Sequence, residues 1–301
     1  MRCPPLTAAL ALIPLVLSAE PVRTGVPAAA TDPAITLVPG EHGVWLDRAV
    51  PARGELLLFI TGTGGRGGPP EFLKTAAAAG YHVIVPLYVN DLPAALCRDD
   101  PEPDAFENFR REIIEGRDLS PRVSVDRANS LENRVTKLVR WLAANRADEG
   151  WAQFLDDRQE LVWRKTALAG HSQGGGHALL MAQDREVARV VMTGAPKDYS
   201  QALKKPAAWY RPGRTPAGRM FAFVHVRDEQ GCTYPEQVEN FRAAGLAPVA
   251  TVDGAEPPFG GAHALTTAHG GELASGPAHT SVVNDPRFRP VWRFMLTAPA
   301  G

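Results

Sequence analysis

The chain has 301 residues, 45% of them hydrophobic, with 28 glycines and 27 prolines, which is enough for one large domain with a well-buried core. Its formal net charge is -1, and lysine and arginine are spread along its length. There is no basic stripe to hold nucleic acid and no polybasic cluster to hold a membrane surface.

In chain order, residues 1–19 read as an export signal. Arg2 supplies a minimal positive start, Leu6 to Leu17 an apolar stretch, and Val16-Leu17-Ser18-Ala19 small residues for cleavage. The stretch is too short for a stable membrane anchor and Pro14 weakens it as a helix, so a secreted or periplasmic protein is expected. An uncleaved interfacial helix is the alternative. Cleavage would remove Cys3 and leave Cys97 and Cys232, an isolated pair that in an exported protein suggests a disulfide. Residues 20–33, rich in Ala, Pro and Thr, read as a flexible lead-in, with the domain itself at 34–301.

Ala34 to Val38 and Val44 to Asp47 read as short first strands around Pro39-Gly40. Glu55 to Ile60 is an apolar run of central-strand length. A glycine loop, Thr61 to Pro70, leads to a helix at Glu71 to Ala79, stopped by Gly80. A strand follows at His82 to Pro86. This alternation predicts an α/β fold with a mostly parallel central sheet and right-handed crossovers, helices covering both faces. The polar segment 91–126 reads as a cap or a side excursion. A helix is predicted from Asn129, with Glu132 as capping-box partner and Leu131, Val135, Leu138, Val139 and Leu142 on one face.

The apolar run Ala167 to Ala169 then enters Gly170-His171-Ser172-Gln173-Gly174, and a small-residue helical pattern continues through Leu179, Leu180 and Met181. This is G-x-S-x-G between a strand and a helix, the context in which a sharp turn pushes a serine Oγ out of the sheet. The flanking glycines supply the close approach such a turn needs. Gln173 opens the helix, so its N–H is unpaired and faces an anion. A glycine-rich helix start with an incidental serine is the bland alternative. With this elbow the chain resembles the α/β-hydrolases, in whose esterases and lipases Gly-His-Ser-Gln-Gly is frequent. Order and spacing are similar to those of secreted bacterial serine hydrolases, over the whole chain after the leader.

The resemblance implies an oxyanion hole whose donors are the N–H groups of Thr63 and Gln173, the former on the loop after the central strand. Gly62-Thr-Gly-Gly-Arg-Gly67 also matches the dinucleotide pattern G-x-G-x-x-G formally. Pro69 and Pro70, where a phosphate-binding helix would already run, and the missing acid after Pro86 count against a nucleotide-binding oxidoreductase.

Beyond the elbow, strands are predicted at Val187 to Met192, Met220 to Val226 and, as the last, Pro248 to Val252. Helices are predicted at Tyr234 to Ala244 and Val291 to Leu296, with a Gly- and His-rich segment at 254–284. No internal repeat and no second domain are visible. The acid should leave a strand end after the nucleophile, and Asp228 fits, with Glu229 and then Asp198 as substitutes. Asp253 lies too near the histidine segment. The base should come last. His263 and His279 both satisfy the loop after the last strand, but only His279 stands directly ahead of the closing helix, where the fold resembled places it. His279 is preferred, with His263 the alternative.

The expectation is an exported serine hydrolase cleaving small or polymeric carboxylic esters without a cofactor or metal, with Ser172, Asp228 and His279 in chemical roles. A non-catalytic binder on the same fold is the rival.

Overall fold

The computed structural model describes residues 20–299; the predicted leader, with Cys3, lies outside them. A strand opens the described chain, β1 (Val22–Pro27), followed by a helical turn, α1 (Ala28–Thr31), and β2 (Glu41–Leu46). The lead-in expected to be flexible is therefore an edge strand, antiparallel to β2. The prolines of this stretch are compatible with that strand. Pro27 closes an edge strand, where a missing N–H costs nothing, and Val26 is fully buried. The strand expected at Ala34 to Val38 does not form. Those residues make turns, and the N–H groups of Thr36 and Leu37 both donate to Asn129 Oδ1, at 3.0 and 2.8 Å.

β3 (Leu56–Ile60) is buried throughout, as a continuous apolar run requires between two covered faces. α2 (Pro70–Ala78) starts with proline in its first position, where the missing N–H would be unpaired anyway. β4 (His82–Val85) follows, then the excursion at 91–126 with α3 (Ala105–Glu115) at its centre. α4 (Leu131–Asn145) has Ser130 as its N-cap, Ser130 Oγ accepting from Asn133 N–H at 3.3 Å. The predicted cap at Asn129 is displaced by one residue because Asn129 is occupied with the 36–37 turn. Glu132 pairs with Arg127 and Arg185 instead of closing a capping box.

β5 (Thr166–His171) and α5 (Gln173–Asp184) form the elbow, then β6 (Arg189–Thr193) and β7 (Met220–His225). α6 (Tyr234–Ala243) carries a Thr233/Glu236 capping box. β8 (Val249–Thr251), predicted as the last strand, is only an edge. The sheet is completed by β9 (Ala264–Thr267), inserted between β7 and β8. Two helices close the chain, α7 (Ser275–Asn284) and α8 (Arg289–Thr297). Glycines and histidines hid β9 and α7 within the 254–284 segment, although β9 is buried along its whole length.

The sheet order is β1-β2-β4-β3-β5-β6-β7-β9-β8, parallel from β4 onward, with β1 and β2 antiparallel at one edge. This is the architecture of the α/β-hydrolase fold, in a single α/β domain. One apolar layer packs α4, α5 and α6 on one face, and a second packs α2, α7 and α8 on the other. The parallel strands end at one edge, and Ile60 pairs with Gly170. The loop after β3 and the elbow after β5 therefore leave the sheet level with each other.

Cys97 and Cys232 are free thiols, both buried, so the expected disulfide is not formed. Cys97 Sγ donates to the Ala105 carbonyl at 3.4 Å, and Cys232 packs near the Asn240 amide at 3.9 Å. Each fills its own local gap as a small apolar residue. Burial pushes the thiols up, to about 11 for Cys97 and about 12 for Cys232, which keeps both protonated and unreactive.

Candidate active site

Ser172 stands between β5 and α5 with φ 56° and ψ -123°, a sparsely populated conformation for a side-chain-bearing residue. The turn is held because its neighbours have no side chains. A Cβ on Gly170 would lie 2.4 Å from the Gly174 carbonyl carbon, and a Cβ on Gly174 would lie 2.0 Å from the Ile60 carbonyl oxygen. Ser172 N–H donates to the Thr193 carbonyl at 2.8 Å, fixing the elbow against the next strand.

The glycine loop reaches the elbow from the side. Asn90, just past β4, shapes it: Nδ2 donates to the carbonyls of Gly62 and Gly65 at 2.8 and 2.9 Å, and the Asn90 carbonyl accepts from Gly64 N–H at 2.8 Å. Thr63 Oγ1 donates to Gln173 Oε1 at 3.1 Å. The side chains thus tie the glycine loop to the start of α5. Among the described residues, neither Thr63 N–H nor Gln173 N–H has a hydrogen-bond acceptor.

His279 and Asp228 come together. Nδ1 lies 2.7 Å from Asp228 Oδ2, which leaves Nε2 as the nitrogen free for other work. Asp228 is wholly buried three residues past β7, and its other oxygen accepts from Gln230 N–H at 3.0 Å and Lys197 Nζ at 2.9 Å. Burial pushes this carboxyl up, but the His279 bond and the Lys197 ammonium together outweigh it and hold it below the usual carboxylate value. His279 does not stand in a loop ahead of the closing helix, as expected. It lies within α7, whose first residue, Ser275, accepts from Glu229 N–H at 2.9 Å. The acid loop and the histidine helix are therefore joined at two points.

Ser172, His279, Thr63 and Gln173 line one cavity of about 440 Å³. Among the described residues no hydrogen bond joins Ser172 to His279. Such bonds are often long without substrate and tighten in the complex. The His171 ring packs on His279, with centroids 4.5 Å apart, and burial, with His279 alongside, pushes it down to about 3. It is a neutral neighbour of His279 at neutral pH.

The alternatives fall elsewhere. His263 Nδ1 is 3.0 Å from the Met220 carbonyl, and its ring stacks on Phe221 at 4.3 Å, ahead of β9 and away from the cavity. Glu229 is exposed. Asp253 accepts from Thr267 and Ala268. Asp198 lines the cavity but is held by Arg110. Among the described residues no group of three or more His, Cys, Asp or Glu is arranged to hold a metal ion. Lys197, Asn90 and Arg110 were not singled out from the sequence. Lys197 and Asn90 each lie a few residues beyond a strand that ends at the site, which was the available signal.

No family model and no curated protein matches the chain. Among solved structures it is similar to a protein assigned as a dienelactone hydrolase from Klebsiella pneumoniae subsp. pneumoniae MGH 78578, with 13% identity, TM-score 0.40, and coverage of 83% of this chain and 85% of that one. It is also similar to a butyrate-bound thermophilic esterase, Est2, from Thermogutta terrifontis, with 13% identity, TM-score 0.42, and coverage of 85% and 86%. At these scores the likenesses decide nothing about the site.

Proposed function

We propose that the protein is a serine hydrolase acting on carboxylic esters. The reading rests on one observation: the His279–Asp228 pair and the strained Ser172 open on the same cavity. In this reaction His279 Nε2 takes the proton from Ser172 Oγ as it attacks the ester carbonyl. The developing alkoxide receives the N–H groups of Thr63 and Gln173, each donor contributing about 3 kcal/mol to the transition state. Asp228 holds the ring and stabilises the imidazolium. His279 then protonates the departing alkoxide, and water activated by the same nitrogen releases the acid from Ser172. A cavity of about 440 Å³ is small for a ligand site, which favours short acyl groups. Residues 1–19, read as a leader, make export part of the proposal.

A fluorophosphonate should label the wild-type protein at one site, and Ser172→Ala should lose both labelling and ester hydrolysis at unchanged thermal stability. Turnover by Ser172→Ala within tenfold of wild type would remove Ser172 from the mechanism.

A further inference from the structure

The excursion at 91–126 carries a buried cation to the base of the elbow. Arg110, on α3, is 2% exposed. Its Nη1 donates to the Gln173 carbonyl at 2.8 Å. Nε and Nη2 make a fork on the two oxygens of Asp198, both at 2.6 Å. Asp198 is fixed in turn: Trp209 Nε1 donates to Oδ2 at 2.9 Å and Tyr210 OH accepts from its N–H at 2.8 Å. Burial pushes Arg110 down, but Asp198 more than offsets this and raises it above its usual value.

The backbone that Arg110 holds is the one least able to hold itself. Gln173 is followed by Gly174-Gly-Gly176, and glycine in a helix orders more backbone freedom than any other residue. All three are closely packed. Gly174 is pressed on β3; a Cβ on Gly175 would lie 2.5 Å from Ala195 Cβ; a Cβ on Gly176 would lie 2.4 Å from the Arg110 guanidinium itself. The first turn of α5 is therefore glycine-rich and closely packed, and it begins at Gln173.

We propose that Arg110 is a positioning residue that locks this first turn, and with it the oxyanion donor at Gln173, with Asp198 as its holder. The proposal rests on the serine-hydrolase reading. Arg110 acts through the Gln173–Gly174 peptide and takes no part in proton transfer. The excursion is thus a brace built into the site.

The test compares Arg110→Met/Asp198→Asn, which removes both charges and leaves no buried ion unpaired, with wild type and with Arg111→Gln. Arg111 is on the same helix but pairs with Glu107, Glu115 and Asp184, away from the elbow. The paired variant should lose 10- to 100-fold in kcat with KM within threefold. Its affinity for a trifluoromethyl ketone, which adds to Ser172 and forms an oxyanion, should fall by the same factor. Arg111→Gln should lower Tm but leave kcat within twofold. A paired variant with kcat and ketone affinity within twofold of wild type overturns the proposal. If it does not fold, Arg110→Lys decides. It keeps the charge but cannot span Asp198 and the Gln173 carbonyl together, so a kcat loss at constant KM supports the brace and full kcat overturns it. Fluorophosphonate labelling of wild type, absent in Ser172→Ala, establishes the underlying reading independently.

Discussion

Lys197 Nζ sits 2.9 Å from Asp228 Oδ1, on the oxygen that His279 does not use. The acid is thus shared between a fixed cation and the imidazole. The carboxyl has no exposed surface, so these two partners, with Gln230 N–H, keep it ionised.

A pH dependence follows from this sharing. Asp228 is held below its unfolded value of about 3.9, so its stabilising contribution is complete above that pH and is lost as pH falls through the lower folded value. Lys197→Met should raise the folded value and move the onset of acid loss to higher pH. It should also cost about 3 kcal/mol at neutral pH, since a buried carboxylate loses a partner. Tm followed from pH 3 to 8 checks both. Curves that stay parallel over the whole range would show that Lys197 does not hold the charge.

The elbow stores strain at Ser172. Glycine adopts positive φ without the clash, so Ser172→Gly should be more stable than Ser172→Ala by about 1 kcal/mol, while both are inactive. Urea unfolding of the two variants measures the difference. Equal midpoints would mean the turn is relaxed.

Gly194, after β6, has φ 58°, and a Cβ there would lie 2.9 Å from His279 Cε1. Gly194→Ala should push the imidazole aside and cost 10- to 100-fold in kcat, because displacement by about 1 Å can cost 100-fold. Unchanged kcat in a folded variant would place the ring elsewhere in solution.

His279→Ala should lose at least about 1000-fold in turnover. His263→Ala should keep turnover within threefold and lose about 1 kcal/mol of stability, from its stack on Phe221. The reverse pattern would exchange the two histidines.

Alkylation followed by peptide mass spectrometry should find Cys97 and Cys232 protected in native protein. Both should become reactive in denaturant without reductant. A Cys97–Cys232 linked peptide would contradict the buried free thiols.

The elbow was legible because strand, serine and glycines lie within a few residues and each has a steric reason. Asp228 was legible as a polar residue leaving an apolar strand. The placement of His279 was not legible: it was expected ahead of the closing helix, yet it lies inside α7, whose start at Ala274-Ser275-Gly276-Pro277 has no strong capping signal. β9 was missed because Ala264-Leu-Thr-Thr267 is short and bordered by glycine and histidine, so burial in the sheet overrides weak local preference. Arg110 was invisible since its partners, Asp198 and Gln173, are 88 and 63 residues away in sequence.

The short run Leu92 to Leu96 faces two ways. Pro93, Ala94 and Ala95 wall the cavity, while Leu92 and Leu96 are 43% and 45% exposed. The run is moored by its backbone, Ala94 N–H donating to Gln173 Oε1 at 2.7 Å, so the side chains at 93 to 95 can change with that mooring in place. On the proposed function, substrate range would therefore drift, or be redesigned, through these three residues, which contribute no reacting group and would leave the chemistry of the sheet edge untouched.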